Sequence, residues 1–102
     1  SSDLTNNIEE LAFLKKLESI IADRKSNPKA NAETAALRIS GINKIAQKVG
    51  EEAIEMVIEA KDNNDELFLN EAADLLFHYI VLLQAKNKNI KDVIEVLKMR
   101  RP

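Results

Sequence analysis

Cysteine is absent from this chain of 102 residues. That excludes a disulfide framework, a thiolate zinc site and a cysteine nucleophile, and it suits the cytoplasm. Glycine and proline occur twice each, and the aromatic residues are three Phe and one Tyr, too few turn formers for a β-rich chain with many tight turns. A single His leaves no Glu-x-x-His pairs of the kind that build a di-iron bundle. There is no basic excess: 15 Lys and Arg face 17 Asp and Glu, a net charge of −2, so nothing electrostatic points to a nucleic-acid partner. The longest uninterrupted apolar run, Tyr79 to Leu83, is five residues, against the roughly 20 needed to span a bilayer. Hence no membrane partner is expected. No basic segment followed by an apolar one opens the chain as in a secretory signal. The first residue is Ser rather than Met, as it is after Met removal, in a tag remnant, or in a domain cut from a longer protein.

What the chain does have is 45% apolar and 31% charged residues, the composition of one soluble globular domain over residues 1–102. The apolar periodicity is helical throughout. Ile8, Leu11, Leu14, Leu17 and Ile21 form one stripe, and Asn6 with Glu9 has the spacing of a capping box that starts it. Pro28 ends that helix within residues 26–32. A short helix is expected over 33–39, stopped at Ser40-Gly41. A second long helix follows over about 42–61 with Ile45, Val49, Ala53, Met56, Val57 and Ala60 on its buried side. Asn63 with Glu66 is the next candidate capping box, opening a third helix over about 65–85. Asn89 caps a last helix carrying Ile90, Val93, Ile94 and Leu97. The fold class is all-α, a four-helix-type bundle. The third helix is apolar on nearly every face, from Leu67 to Leu83, more than a bundle this small covers. A homodimer that completes the bundle is therefore expected, the alternative being a monomer with an exposed apolar patch.

The carboxylates break the helical pattern of polar residues outside. Glu52 with Glu55 and Glu71 with Asp74 are i,i+3 pairs, and Glu51 with Glu55 is an i,i+4 pair, so the members of each pair share a helix face. Asp74 lies among Ala73, Leu75, Leu76 and Phe77. An antiparallel hairpin through residues 62–65 lets both pairs meet. Two like charges 4 Å apart cost about 4 kcal/mol at an effective dielectric near 20, so a sequence that gathers four implies a compensating cation. Oxygen-only donors suit Mg²⁺ or Mn²⁺ over Zn²⁺, and the chemistry indicated is metal-assisted attack of water on a phosphate chain. The plain alternative is a solvated acidic face. It fits Glu59 and Glu66 well, and ExxE and ExxD spacings are common by chance.

The combination of "KVGEEAIE", residues 48–55, with "EAADLLFHYIVLL", residues 71–83, resembles phosphoribosyl-ATP pyrophosphohydrolase of histidine biosynthesis. That family belongs to the all-α nucleotide pyrophosphohydrolase (MazG-like) superfamily, which pairs an EExxE element with a later ExxD element. The likeness extends through "LESIIADRK", Thr34, Leu37, Gly41 and Lys44 to the "DVIEVL" helix, about residues 14–97. It implies a hydrolase acting on a phosphoric anhydride, converting phosphoribosyl-ATP to phosphoribosyl-AMP and pyrophosphate. It further implies Glu52, Glu55, Glu71 and Asp74 as Mg²⁺ ligands, with Glu51 either a further ligand or the group that orients the attacking water. No nucleophile is visible, which fits direct displacement by water. In this family the enzyme also occurs fused behind a phosphoribosyl-AMP cyclohydrolase, and a chain with a polar lead-in suits the C-terminal part of such a fusion.

Lys48, one turn before Glu52, either pairs with that carboxylate or reaches a phosphate. Lys44, Arg24 and Lys25 are candidate phosphate contacts or ordinary exposed cations. Thr34 contacts phosphate or bonds within its own helix, and His78 is either a partner to the site or a core or interface residue. Two rival functions stand beside the first: a house-cleaning (d)NTP pyrophosphohydrolase of the same superfamily, and a non-catalytic helical dimerisation module.

Overall fold

A computed structural model describes residues 2–26 and 32–101, with side chains for 7–25 and 41–101. Four α-helices follow one another: α1 (Ser2–Ser26), α2 (Ala32–Ala60), α3 (Asp65–Ala85) and α4 (Ile90–Arg100). The described residues contain no strand, as an all-α fold requires. The turn expected around Pro28 lies outside the described residues.

Helix α1 begins at Ser2, ahead of the Asn6–Glu9 pair, so Asn6 is a helical residue rather than the start signal. Helix α2 is two helical segments meeting at Gly41, whose backbone (φ 81°, ψ −177°) leaves the helical region. Only glycine adopts that conformation without strain, so the expected stop at Ser40-Gly41 appears as a break inside one long element. A short connection, residues 61–64, then turns the chain back. Lys61 N–H and Asp62 N–H donate to the Ile58 and Glu59 carbonyls. The cap of α3 is Asn64, one residue later than the sequence spacing suggested. Its side chain accepts from Leu67 N–H at 3.1 Å. Asn63 stays in the turn.

Helix α3 ends in a Schellman motif. Lys88 N–H donates to the Leu83 carbonyl and Asn87 N–H to that of Gln84, with Asn87 in the left-handed conformation (φ 60°) that this motif needs. Helix α4 opens with the expected Asn89 cap. Asn89 and Asp92 exchange side-chain and backbone bonds at 3.0 and 2.9 Å, a full capping box.

Helices α2 and α3 pack on each other as an antiparallel hairpin, and α1 lies against both. Their meeting point is a small core of Ile21, Ile45 and Ile80, one side chain from each helix. Val49, Ala53 and Met56 of α2 are half-buried as expected, whereas Val57 and Ala60 are exposed. Among the described residues, fifteen large apolar side chains stand exposed against those three core residues, an imbalance typical of a chain lacking a packing partner.

Candidate active site

The hairpin places the carboxylates. Glu55 lies five residues before Ala60, the end of α2, and Glu71 six residues after Asp65, the start of α3. With so short a connection these positions face each other, and Glu52 stands one turn behind Glu55 on the same face. One carboxylate oxygen from each of Glu52, Glu55 and Glu71 lies within 4.8 Å of the other two. Glu52 is buried at 8% exposure, Glu71 is half-buried and Glu55 is open to solvent.

Two oxygens of this cluster, Glu52 Oε2 and Glu71 Oε2, are buried and accept no hydrogen bond. Buried polar atoms without partners are rare, and each calls for a missing donor, water or ion. The Glu71 carboxyl is pushed up to about 7, first by a side-chain hydrogen bond shared with Glu55, then by burial. The negative charges of Glu55, Glu52 and Asp74 add to the shift. Without a cation, Glu71 relieves the repulsion by keeping a proton.

Asp74 is exposed on the same face of α3 and acts on Glu71 through its charge, but only the three glutamates form the tight cluster among the described residues. Glu51 is exposed and accepts from Gln47 Nε2 at 3.2 Å, one turn back on α2. His78 bonds through Nδ1 to the main-chain carbonyl of Asp74 at 2.8 Å. A carbonyl only accepts, so Nδ1 carries the proton, and the ring also meets Phe77 edge to face. Its bond reaches the helix backbone rather than a site carboxylate.

Lys48 is half-buried and forms no ion pair or hydrogen bond among the described residues, with Glu52 or any other group, and exposed Lys44 and half-buried Arg24 likewise have none. Lys25 is engaged elsewhere. Its Nζ donates to the Gln84 carbonyl and to Asn87 Oδ1, each at 2.5 Å, fastening the end of α3 to α1. Thr34 lies in α2, but its side chain is outside the described residues.

One residue that sequence reasoning passed over is Glu18 of "LESIIADRK". Its Oε2 accepts from Ile90 N–H at 2.6 Å, so α1 supplies a second cap to α4. Glu18 and Lys25 are two turns apart on one face, and together they hold the α3–α4 turn. Only that i,i+7 spacing hinted at a shared role.

Residues 14–101 match the family model described as phosphoribosyl-ATP pyrophosphohydrolase. The chain is similar to the "Histidine biosynthesis bifunctional protein HisIE" of Buchnera aphidicola subsp. Schizaphis graminum, 50% identical over 91 residues, 89% of this chain and 44% of that protein. HisIE of Bacteroides thetaiotaomicron is 47% identical over 94 residues, 92% of this chain and 46% of the relative. The "Phosphoribosyl-ATP pyrophosphatase" of Clostridium acetobutylicum is 44% identical over 88 residues, covering 86% of this chain and 80% of that one. The chain thus spans less than half the length of the bifunctional relatives and most of the length of the shorter one. Its acidic cluster sits inside the matched region, on the two elements that carried the resemblance, and the chain belongs to the phosphoribosyl-ATP pyrophosphohydrolase family.

Proposed function

We propose that this chain hydrolyses phosphoribosyl-ATP to phosphoribosyl-AMP and pyrophosphate as a step of histidine biosynthesis, with Mg²⁺, or Mn²⁺ in its place, as the metal. The observation that carries the reading is the convergence of Glu52, Glu55 and Glu71 with two buried oxygens left without partners. Carboxylate-only donors of this kind fit a hard cation that keeps positions open for phosphate oxygens and water. When bound, such an ion supplies Lewis acidity toward the phosphate chain and lowers the pKa of coordinated water.

The chain's own residues do the rest. Glu52 and Glu55 on α2 and Glu71 on α3 are the residues that would hold such an ion, and Asp74 would add its negative charge beside them. Glu71, whose carboxyl holds a proton more readily than usual beside Glu55, would release it on ligation. Glu51, exposed one turn before Glu55, is free to turn from Gln47 toward the attacking water or the ion. The oxygen of water adds at the α-phosphorus while a site carboxylate takes up its proton, and the bond from that phosphorus to the bridging oxygen of the β-phosphate breaks. Pyrophosphate leaves with the bridging oxygen. Lys48 stands one turn before Glu52 and its ammonium has no partner among the described residues, which favours phosphate contact over neutralising Glu52. Lys44 and Arg24 are further candidates without a partner among the described residues, Thr34 is a candidate whose side chain lies outside them, and Lys25 contributes mainly by holding the fold.

A homodimer and a cytoplasmic setting belong to the same proposal. The dimer is supported by the exposed apolar surface and by the expanded shape: the radius of gyration is 15.4 Å, where about 13 Å is usual for 100 residues. Pyrophosphate release from phosphoribosyl-ATP, compared with a panel of nucleoside triphosphates, tests the reaction. Glu55→Gln and Asp74→Asn are expected to abolish the Mg²⁺-dependent release while circular dichroism stays that of the parent. Full turnover in either variant removes that residue from the mechanism, and equal rates on every triphosphate return the chain to the house-cleaning class.

A further inference from the structure

Beyond Asp74, helix α3 is apolar up to its end at Ala85 except for His78, Tyr79 and Gln84. His78 belongs to the face that carries the acids. Glu71, Asp74 and His78 are spaced by three and then four residues, so they stack along one side of the helix. Side chains on a helix lean toward its N-terminus, which for His78 is the direction of Asp74 and Glu71. The ring follows that lean, with Nδ1 reaching back one turn to the Asp74 carbonyl at 2.8 Å.

Two contacts fix the ring. The Asp74 carbonyl takes the Nδ1 proton, and Phe77 meets the imidazole edge to face, with centroids 5.3 Å apart. A neutral imidazole holds one N–H and one lone pair, so with the proton on Nδ1 the lone pair is on Nε2. Nε2 has no partner among the described residues. The side chain is half-buried and stands outside the core of Ile21, Ile45 and Ile80. The result is an acceptor of fixed orientation on the face of the acids, its backbone one helical turn, about 5.4 Å, past Asp74.

We propose that His78 Nε2 accepts a hydrogen bond from a hydroxyl of the ribose that carries the triphosphate, which makes His78 a substrate-binding residue. The inference rests on the substrate and the cation site proposed above. Phosphate oxygens are acceptors and repel a lone pair, whereas sugar hydroxyls donate. The base also offers N–H groups, but it lies beyond the sugar. With the α-phosphate at the carboxylates, its own ribose is the next group along, one ester link further, on the side where His78 stands. The bond holds the α-phosphorus in place for the attacking water. It also disfavours a nucleotide that lacks the hydroxyl, because the acceptor is then left unpaired.

Kinetics of the full chain on phosphoribosyl-ATP, and on its analogues lacking the 2′ or the 3′ hydroxyl of that ribose, test the contact. In the parent, one of the two analogues is expected to lose about tenfold in kcat/KM, the size of one hydrogen bond. His78→Asn keeps a donor at the Nδ1 position and has nothing at Nε2. It is expected to lose about tenfold on phosphoribosyl-ATP and nothing further on that analogue. His78→Gln places its amide oxygen near the Nε2 position, so it should recover most of the rate and discriminate against the same analogue as the parent does. Circular dichroism, and Mg²⁺ affinity without substrate, are expected to stay parental in both variants. A parent that turns over all three substrates alike overturns the contact without any variant. Equal losses in His78→Asn on all three, or a shifted Mg²⁺ affinity, overturn it in favour of a structural role. If His78→Asn unfolds, the parent and His78→Gln decide between them. A parent inert on phosphoribosyl-ATP overturns the underlying reading and the contact with it.

Discussion

Glu71 is where the site declares its chemistry. Its carboxyl is pushed from an ordinary 4.5 up to about 7 by the shared hydrogen bond with Glu55, by burial and by the neighbouring charges. A raised acid binds its proton more tightly in the folded than in the unfolded chain. The stability this contributes is therefore fully present below pH 4.5 and is lost as pH rises through about 7. Metal-free protein is expected to melt at progressively lower temperature across that window. With Mg²⁺ present the trend reverses, because ligation needs the carboxylate and strengthens as the proton leaves. Thermal melts from pH 4.5 to 8, with chelator and with Mg²⁺, give the two curves. Parallel curves would show that Glu71 lies outside any cation site. Much of this cluster was legible beforehand, because i,i+3 spacing puts Glu52 and Glu55 on one face wherever the helix packs. The distinction between Glu71, drawn between the helices, and Asp74, left in solvent three residues on, was not. Both precede the same apolar run, and only the rotation of α3 against α2 separates them. The commitments of Gln47 to Glu51 and of His78 to the Asp74 backbone are equally invisible in a linear pattern.

At the level of elements, periodicity placed every helix because each contributes an apolar stripe of the right period, and the errors fall at the ends. Asn63 and Asn64 both suit an N-cap, and the choice rests on how the 61–64 turn closes onto Ile58 and Glu59, a geometry that spacing does not encode. Ser40-Gly41 signals a stop because glycine suits a helix C-cap, and the backbone does leave the helical region at Gly41, yet the chain resumes its helix at once. The two glycines consequently predict opposite effects of the same substitution. A Cβ at Gly41 meets nothing within 4 Å, so Gly41→Ala is costly only through its positive φ, and a loss of about 1–3 kcal/mol is expected for a strained backbone position. Gly50 sits in helical conformation in α2 with open space around its Cβ, so Gly50→Ala is expected to gain about 1 kcal/mol from helix propensity. Urea unfolding of the two variants checks the pair. A stable Gly41→Ala protein would mean that α2 straightens through this position.

For the whole molecule the decisive feature is how little of its apolar surface one chain hides. The sequence announced the excess, since α3 has no polar face, but it did not say which of its residues serve the monomer. Ile80 answers first: it is fully buried within the single chain, on the helix that packs against both α1 and α2, so it belongs to the chain's own core and not to a contact between copies. Leu76, one turn earlier, is 42% exposed, and Leu69 is 63% exposed. These two, seven residues apart, lie on one face of α3 that the chain leaves uncovered. A carboxylate at each kind of position should therefore fail differently. Ile80→Asp buries an unpaired charge at the junction of three helices, a change that exceeds about 4 kcal/mol and consumes most of the stability of a small domain, so helicity itself should be lost. Leu76→Asp keeps its carboxylate in water in the separate chain, so helicity should persist while the proposed dimer comes apart. Circular dichroism and light scattering on both variants separate the outcomes. If Leu76→Asp remains dimeric at micromolar concentration, α3 does not carry the contact, and the uncovered leucines need a different partner.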